Sequence, residues 1–427
     1  MKRQLTVILL VASLLMGVMV LTVAAATVEP RIYWENEPIA GWPDGPLVSS
    51  RTDLNEIAGL ILAAAEMREP NVDLSSFRLS EEEYRNIAEE VLYTQHPEMI
   101  WVKSYGWSEY DGSVREGLFM YDPTVTEERI ADYEKQIAWI LSGVDPQLSD
   151  LEKLLVLHDL FALRAYYDDD FKQCEAHDIV CDGIGVCRGY TKAYNDCLKR
   201  LGFTVRYTAN WNHCWTLVKL DGNWYNIDVT WDDSSDRIGS VDHTFFLTSD
   251  AFLQGRGEWP HVSLLSGEDL RATDARYESG AFWEHVNHAF IAVPNDGLYY
   301  LKQGGSAQAL QLIRRRNGAE EIVFSMDAGW GGNLDIWGDG VLSGLSRLGD
   351  GLFFNDSRHM YRFDLNTGST ETAYDAKSWE ILCGSYIRSL PSGDFVELEL
   401  APEGEQRCIR LTTVETLFPI RAGRRPL

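Results

Sequence analysis

The chain is short of positive charge: 38 lysines and arginines stand against 65 aspartates and glutamates, a formal charge of −27 over 427 residues. That balance argues against binding to nucleic acid or anionic lipid by field alone. No CxxC pair occurs among the 7 cysteines, which argues against a structural zinc site. Beyond Val23 there is no second apolar run long enough to span a bilayer, so a fold of several membrane helices is excluded. No cysteine positioned for lipidation follows the first run.

What is present begins with "MKRQLTVILLVASLLMGVMVLTVAAATVEP". Lys2 and Arg3 form a basic start, Leu5 to Val23 an apolar run, and Ala24 to Ala26 a small-residue site. This reads as a secretory signal over residues 1–26, with an uncleaved N-terminal anchor as the alternative, because the run is long for a signal. Both readings place the remainder extracytoplasmic, secreted or at the cell surface, with no membrane contact beyond that anchor. An odd number of cysteines leaves at least one thiol unpaired in a monomer. Oxidising surroundings would permit a Cys383–Cys408 bridge and a Cys174–Cys181 bridge.

The remaining chain, with 45% hydrophobic residues and 14 tryptophans, can build two or three domains. Residues 27–75 form an N-terminal segment broken by Pro30, Pro38, Pro43 and Pro46, with a helical stretch near Ile57 to Met67. Within 76–266, "LSEEEYRNIAEEVLY" reads as a helix capped by Ser80, and "WVKSYGWSEYDGSVREGLFMYDP" as a hairpin turning at Asp111-Gly112. "SDLEKLLVLHDLFALRAYY" opens with the capping box Ser149…Glu152 and carries His158 in its apolar stripe. A histidine so placed is more often a hydrogen-bonded core residue than a catalytic one. Residues 267–427 read as a β-rich region of propeller-like repeats: "DGLYYL" at Asp296 and "DGLFFN" at Asp350 nearly coincide, and "CGSYIRSLPSGDFVELEL" resembles a third unit. About three such units are too few to close a ring, so an open β domain is expected.

The chemistry concentrates in "GIGVCRGYTKAYNDCLKRLGF". Tyr190, Tyr194, Cys197, Leu198 and Leu201 make a helical stripe ended by Gly202, which puts Cys187 in the first turn. Unpaired N–H groups and the helix dipole there favour a thiolate. In "NHCWTLVKLDGNWYNIDVTWDD" the two-residue turn Asp221-Gly222 sets Leu220 opposite Asn223 and, counting outward, His213 opposite Thr230. Asp228 is then a diagonal neighbour of His213 on the same face. Cys187 would attack, His213 would carry the proton and Asp228 would hold the imidazole. On spacing alone, a buried thiol with two ordinary strand residues is an equal alternative. Alternation points Cys214 away from the His213 face, as a small core thiol, and returns Trp215 to it, where its ring would shield the site. Trp231 and Asp232 are expected to pack or cap the strand end.

These motifs, followed by "HTFFLTSDAFLQ", resemble in order and spacing the transglutaminase-like superfamily, in its extracytoplasmic bacterial branch. The likeness covers roughly Leu148 to His261 and is sparser upstream, around Tyr121 to Ile140. It implies an α+β fold with a papain-like core, a cysteine-bearing helix packed on an antiparallel sheet bearing the histidine and aspartate. It further implies a catalytic set of Cys187, His213 and Asp228. The family's upstream oxyanion tryptophan has no counterpart at the matching distance. The Cys187 N–H is one substitute donor and Tyr167 another, although a packed aromatic at a helix end is the more usual role. The resemblance implies a protein or peptide substrate, in a cell-wall setting if the β region binds there, and amide chemistry through a thioester, with hydrolysis favoured over cross-linking. The chemistry needs no cofactor or metal, and "DVTWDDSSD" does not match a calcium loop. The competing reading is a non-catalytic surface scaffold that recognises partners through its β domain.

Overall fold

The computed structural model describes residues 31–33, 51–210, 212–233, 241–254, 268–304, 309–327, 344–356 and 359–375 with side chains. Residues 34, 380–390, 393–401, 407–412 and 416–421 are described as backbone. The expected signal, residues 1–26, and the acidic stretch after Asp233 lie outside the described residues. Among the described residues no helix is long and apolar enough to cross a membrane.

The architecture is α+β, with helices followed by successive antiparallel sheets. A first sheet joins β1 (Arg31–Trp34), β2 (Asn71–Asp73), β3 (Val102–Tyr110) and β4 (Ser113–Tyr121) in the order β1-β3-β4-β2. Its hairpin turns where Asp111 and Gly112 both take positive φ, 56° and 70°, as a type I′ turn requires. Helices α1 (Leu54–Glu66) and α2 (Glu81–Glu89) bury Ile57, Ile61, Tyr84 and Ile87 against this sheet. Ser80 and Glu83 cap α2 reciprocally.

A second core gathers helices α3 (Glu127–Ser142), α4 (Asp150–Arg164) and α5 (Cys187–Arg200) on another sheet. Before that sheet, β5 (Tyr166–Tyr167) and β6 (Ile184–Gly185) make a short parallel pair. The sheet itself runs β10-β9-β8-β7, with β7 Val205–Ala209, β8 Cys214–Leu220, β9 Asn223–Ile227 and β10 Phe246–Thr248. The β8–β9 turn is Asp221-Gly222, at φ 50° and 84°, and its register starts at Leu220↔Asn223 as counted from the sequence. Pairing stops at Thr216↔Ile227, and the chain then enters the one-turn helix α6 (Val229–Asp232). A further turn, α7, spans Asp250–Leu253.

One buried ion network fixes α6 to the rest. His158 on α4 donates from Nδ1 to Asp159 Oδ1 at 2.9 Å and from Nε2 to Asp232 Oδ2 at 3.1 Å, with all three side chains at most 1% exposed. Burial alone would strip its charge, but the two carboxylates reverse that and push its pKa to about 9. Asp159 also accepts from His243 Nε2 at 2.9 Å and from the Phe290 N–H at 2.6 Å, and Asp232 Oδ1 takes the Phe245 N–H at 2.9 Å. The histidine in the apolar stripe is thus a core residue holding three segments together.

After residue 290, three four-stranded sheets follow one another, each pairing its strands in chain order. They are β11–β14 (residues 291–327), β15–β18 (345–375) and β19–β22 (380–421). Gly297 opens the second strand of the first, Gly351 of the second and Gly393 of the third, so the sequence repeats mark equivalent positions. Among the described residues they close neither a barrel nor a propeller ring. The expected bridges are also corrected. Cys174 and Cys181 are free thiols. Cys383 and Cys408 flank Glu399 from opposite sides in the pairing. Two strand spacings, roughly 9.5 Å, then separate them, beyond the reach of a disulfide.

Replacing His158 by leucine leaves Asp159 and Asp232 buried without their cation. A loss of about 3–5 kcal/mol in denaturant unfolding is expected. Because the folded pKa of His158 is raised, its contribution is complete below the ordinary 6.5 and fades as pH rises through about 9. A parent and variant equally stable at pH 6 would refute the bridge.

Candidate active site

The site forms where the N-terminus of α5 meets the frayed ends of β8 and β9. Gly183, at φ 72°, turns the chain into β6. At Gly189 an added Cβ would sit 2.9 Å from the Glu175 carbonyl oxygen, so only glycine lets the first turn of α5 pack this closely. Val186 precedes the helix in extended conformation and supplies no side-chain cap. The helix dipole at this end therefore favours an anion at Cys187.

His213 is outside the strand. Its backbone N–H donates to Asn210 Oδ1 at 2.8 Å and its carbonyl accepts from the Asn210 N–H at 2.8 Å, a tight loop before β8 starts at Cys214. Its Nε2 lies 2.5 Å from Asp228 Oδ2. Asp228 is 3% exposed, and its other oxygen accepts the Trp231 N–H at 3.1 Å as the N-cap of α6. The contact is therefore made between a loop and a helix cap, where the sequence reading had a diagonal pair in a continuing ladder.

Cys187 lies beside both Cys214 and His213, which act on its sulfur. Its pKa falls from 9.0 to about 4, chiefly through the Cys214 thiol, then through the His213 hydrogen bond and charge and the Cys214 N–H, against the cost of burial. For His213 burial lowers the pKa, but Asp228 first and Cys187 next outweigh it and raise it to about 10. Both shifts run toward a thiolate at Cys187 and an imidazolium at His213.

Cys214 corrects the alternation argument. It is buried, yet its thiol faces Cys187, because the strand begins at Cys214 and the parity counted through it does not extend to the loop residue His213. The Thr191 hydroxyl lies against both: it is 2.8 Å from the Cys187 carbonyl oxygen, 3.2 Å from that of Cys214 and 3.8 Å from Cys214 Sγ.

Trp231 stacks on the imidazole at 4.4 Å between centroids and 6° between planes. Its face is a favourable surface for an imidazolium. The sequence reading gave it only packing, and its three-residue offset from Asp228, one helical turn, was the available signal. Trp215 lies nearly parallel to His213 at 6.0 Å, and its indole N–H donates to Asn226 Oδ1 at 2.8 Å. Tyr167 sits on β5, whose partner Gly185 is two residues before Cys187. It is 37% exposed and meets Phe171 edge-on. Burial first, and the nearby Cys187 charge next, push its phenol to about 12, so it keeps a proton to donate.

Among the described residues, two groups carry metal-ligating residue types, His158 with Asp159 and His243, and His177 with Asp178 and Asp182. In the first, both nitrogens of each histidine already face carboxylates or, for His243 Nδ1, the Val286 carbonyl. In the second, the Arg129 guanidinium contacts both His177 and Asp182. A cation would have to break these pairs.

No family model and no curated protein matches the chain. Among solved structures it is similar to a TGase at 15% identity over 30% of this chain and 44% of that one, with a TM-score of 0.24. It is also similar to the extracellular domain of a hybrid two-component system from B. thetaiotaomicron, at 10% identity over 52% of this chain and 28% of that one, with a TM-score of 0.23. The chain spans less than half the length of either.

Two outcomes test this geometry. Iodoacetamide should label Cys187 down to about pH 5, and Cys214→Ala or His213→Ala should move the labelling midpoint upward, since each removes a partner of the thiolate. Labelling that starts only above pH 8 in the parent would contradict the ion pair. Its contribution to stability should have two edges. The Cys187 part, with a depressed pKa, is full above pH 9 and is lost as pH falls through about 4. The His213 part, with a raised pKa, is full below pH 6.5 and is lost as pH rises through about 10. Separately, Trp231→Ala should lower the His213 pKa read by NMR by roughly half a unit to one and a half units, the worth of a cation–π contact. An unchanged pKa would mean the stacking is only packing.

Proposed function

We propose that this protein is a secreted or surface cysteine enzyme of the transglutaminase-like kind, acting on peptide or isopeptide amides through a thioester. The observation that carries the reading is the His213 Nε2–Asp228 Oδ2 hydrogen bond, with Cys187 at the start of α5 beside the same imidazole. The order of the three motifs along the chain supports it.

In this reading the Cys187 thiolate attacks the amide carbon. The carbonyl oxygen takes the negative charge and meets the Cys187 N–H, with the Tyr167 hydroxyl as a second donor. His213, already protonated, gives its proton to the departing amine as the C–N bond breaks and the thioester remains. Asp228 on Nε2 leaves Nδ1 as the nitrogen toward the sulfur and steadies the imidazolium. Water then attacks the thioester, with neutral His213 taking its proton, and the carboxylic acid leaves. Trp215 and Trp231 wall the imidazole. Hydrolysis is favoured over transfer to an amine because no residue at the site marks a second acceptor. The three β sheets would serve recognition of the substrate or its surroundings, with a propeller-like arrangement of repeated units.

Incubation with an activated ester should give a burst of one equivalent and an acyl adduct on Cys187 by mass spectrometry. Asp228→Asn should keep the fold and lower turnover on the order of a thousandfold or more. Adding a lysine analogue separates the acceptors: release of free acid supports hydrolysis, and an amide product would overturn that part. Absence of any Cys187 adduct would return the protein to the scaffold reading.

A further inference from the structure

Resting on the proposed thiolate at Cys187, we propose that Cys187 and Cys214 form a peroxide-reactive pair that closes reversibly to an intramolecular disulfide. The pair is built by the fold. Cys187 begins α5 and Cys214 begins β8, and the Thr191 hydroxyl, one turn along α5, touches the backbone oxygens of both. Thr191 Oγ1 also lies 3.8 Å from Cys214 Sγ, so the two thiols are neighbours at this contact, with Cys187 half-buried and so open to a small oxidant, while Cys214 is 3% exposed. The remaining described thiols are differently placed. Cys174 donates to the Phe171 carbonyl at 3.6 Å, and Cys181 and Cys197 lie elsewhere in the core; burial raises the pKa of both, as burial and then Cys187 raise that of Cys214, so Cys214 serves as the resolving thiol and not as the first nucleophile.

The chemistry takes a hydroperoxide as oxidant. The Cys187 thiolate attacks one oxygen of hydrogen peroxide, the O–O bond breaks, and Cys187 becomes a sulfenic acid with release of hydroxide. The Cys214 sulfur then attacks the Cys187 sulfur. The S–O bond breaks, water leaves carrying the Cys214 proton, and a disulfide remains. A thiol reductant reverses the step by exchange. The pairing would spare the nucleophile the irreversible sulfinic state, because the resolving thiol is already in contact.

The full chain would be treated with hydrogen peroxide, blocked with N-ethylmaleimide, digested without reduction and read by mass spectrometry. A peptide linking Cys187 to Cys214, two hydrogens lighter than its parts and released by dithiothreitol, is expected. In Cys214→Ser the link should vanish, and Cys187 should proceed to sulfinic acid that dithiothreitol does not restore. Parent protein in which Cys187 goes directly to sulfinic acid, links to another cysteine or stays reduced would overturn the pair. Iodoacetamide labelling of untreated protein at pH 5 keeps the two readings apart: labelling without the linked peptide sinks only this inference, and no labelling sinks the thiolate reading beneath it. Should the serine variant misfold by circular dichroism, the linked peptide in the parent still decides the matter.

Discussion

The arrangement rests on the cation held at His158. Two carboxylates and an imidazole, all removed from water, are stable together only if the imidazole is charged and both nitrogens donate, which is the geometry seen with Asp159 and Asp232. Asp232 ends the helical turn that Asp228 begins. The bridge therefore sets the position of the Asp228 carboxylate, and through it the orientation of His213. Hydrophobic burial brings α4, α5 and the β7–β10 sheet together, but it is directionless. The ion network selects one way of docking them.

At the site itself Asp228 holds His213, and His213 and Cys187 shift each other toward opposite charges. Each sign stabilises the next in surroundings where water screens little. Cys214 complicates a simple chain of three, because its S–H and N–H both serve the sulfur. A residue adjacent to the histidine in sequence thus shares in setting the charge of Cys187.

Much of the local structure was legible from sequence because it is governed by neighbours. The capping boxes at Ser80 and Ser149 fix helix starts within four residues, and Asp111-Gly112 and Asp221-Gly222 fix hairpins by their positive φ. The nearness of His213 to Asp228 could be counted from the turn, although the ladder carrying the count ends at Thr216. Alternation failed at Cys214 for that reason: period two holds only while the chain stays extended, and the Asn210–His213 loop breaks it. The contacts of Asp159 with His243 and Phe290 join segments far apart in sequence, which no local pattern encodes. The near-repeat at Asp296 and Asp350 was readable as a unit of structure, since both mark the start of a second strand.

The Phe290 amide that completes Asp159 lies 131 residues further along the chain. During synthesis, α4 leaves the ribosome long before this partner exists, so its buried carboxylate must wait with one oxygen hydrated or loosely held. The sheets after residue 290 pair only with sequence neighbours and can form as they emerge. The helical core is thus tied off late, by the segment that leads into those sheets. The order of translation keeps the helical half unfinished until the β-rich half has begun to appear.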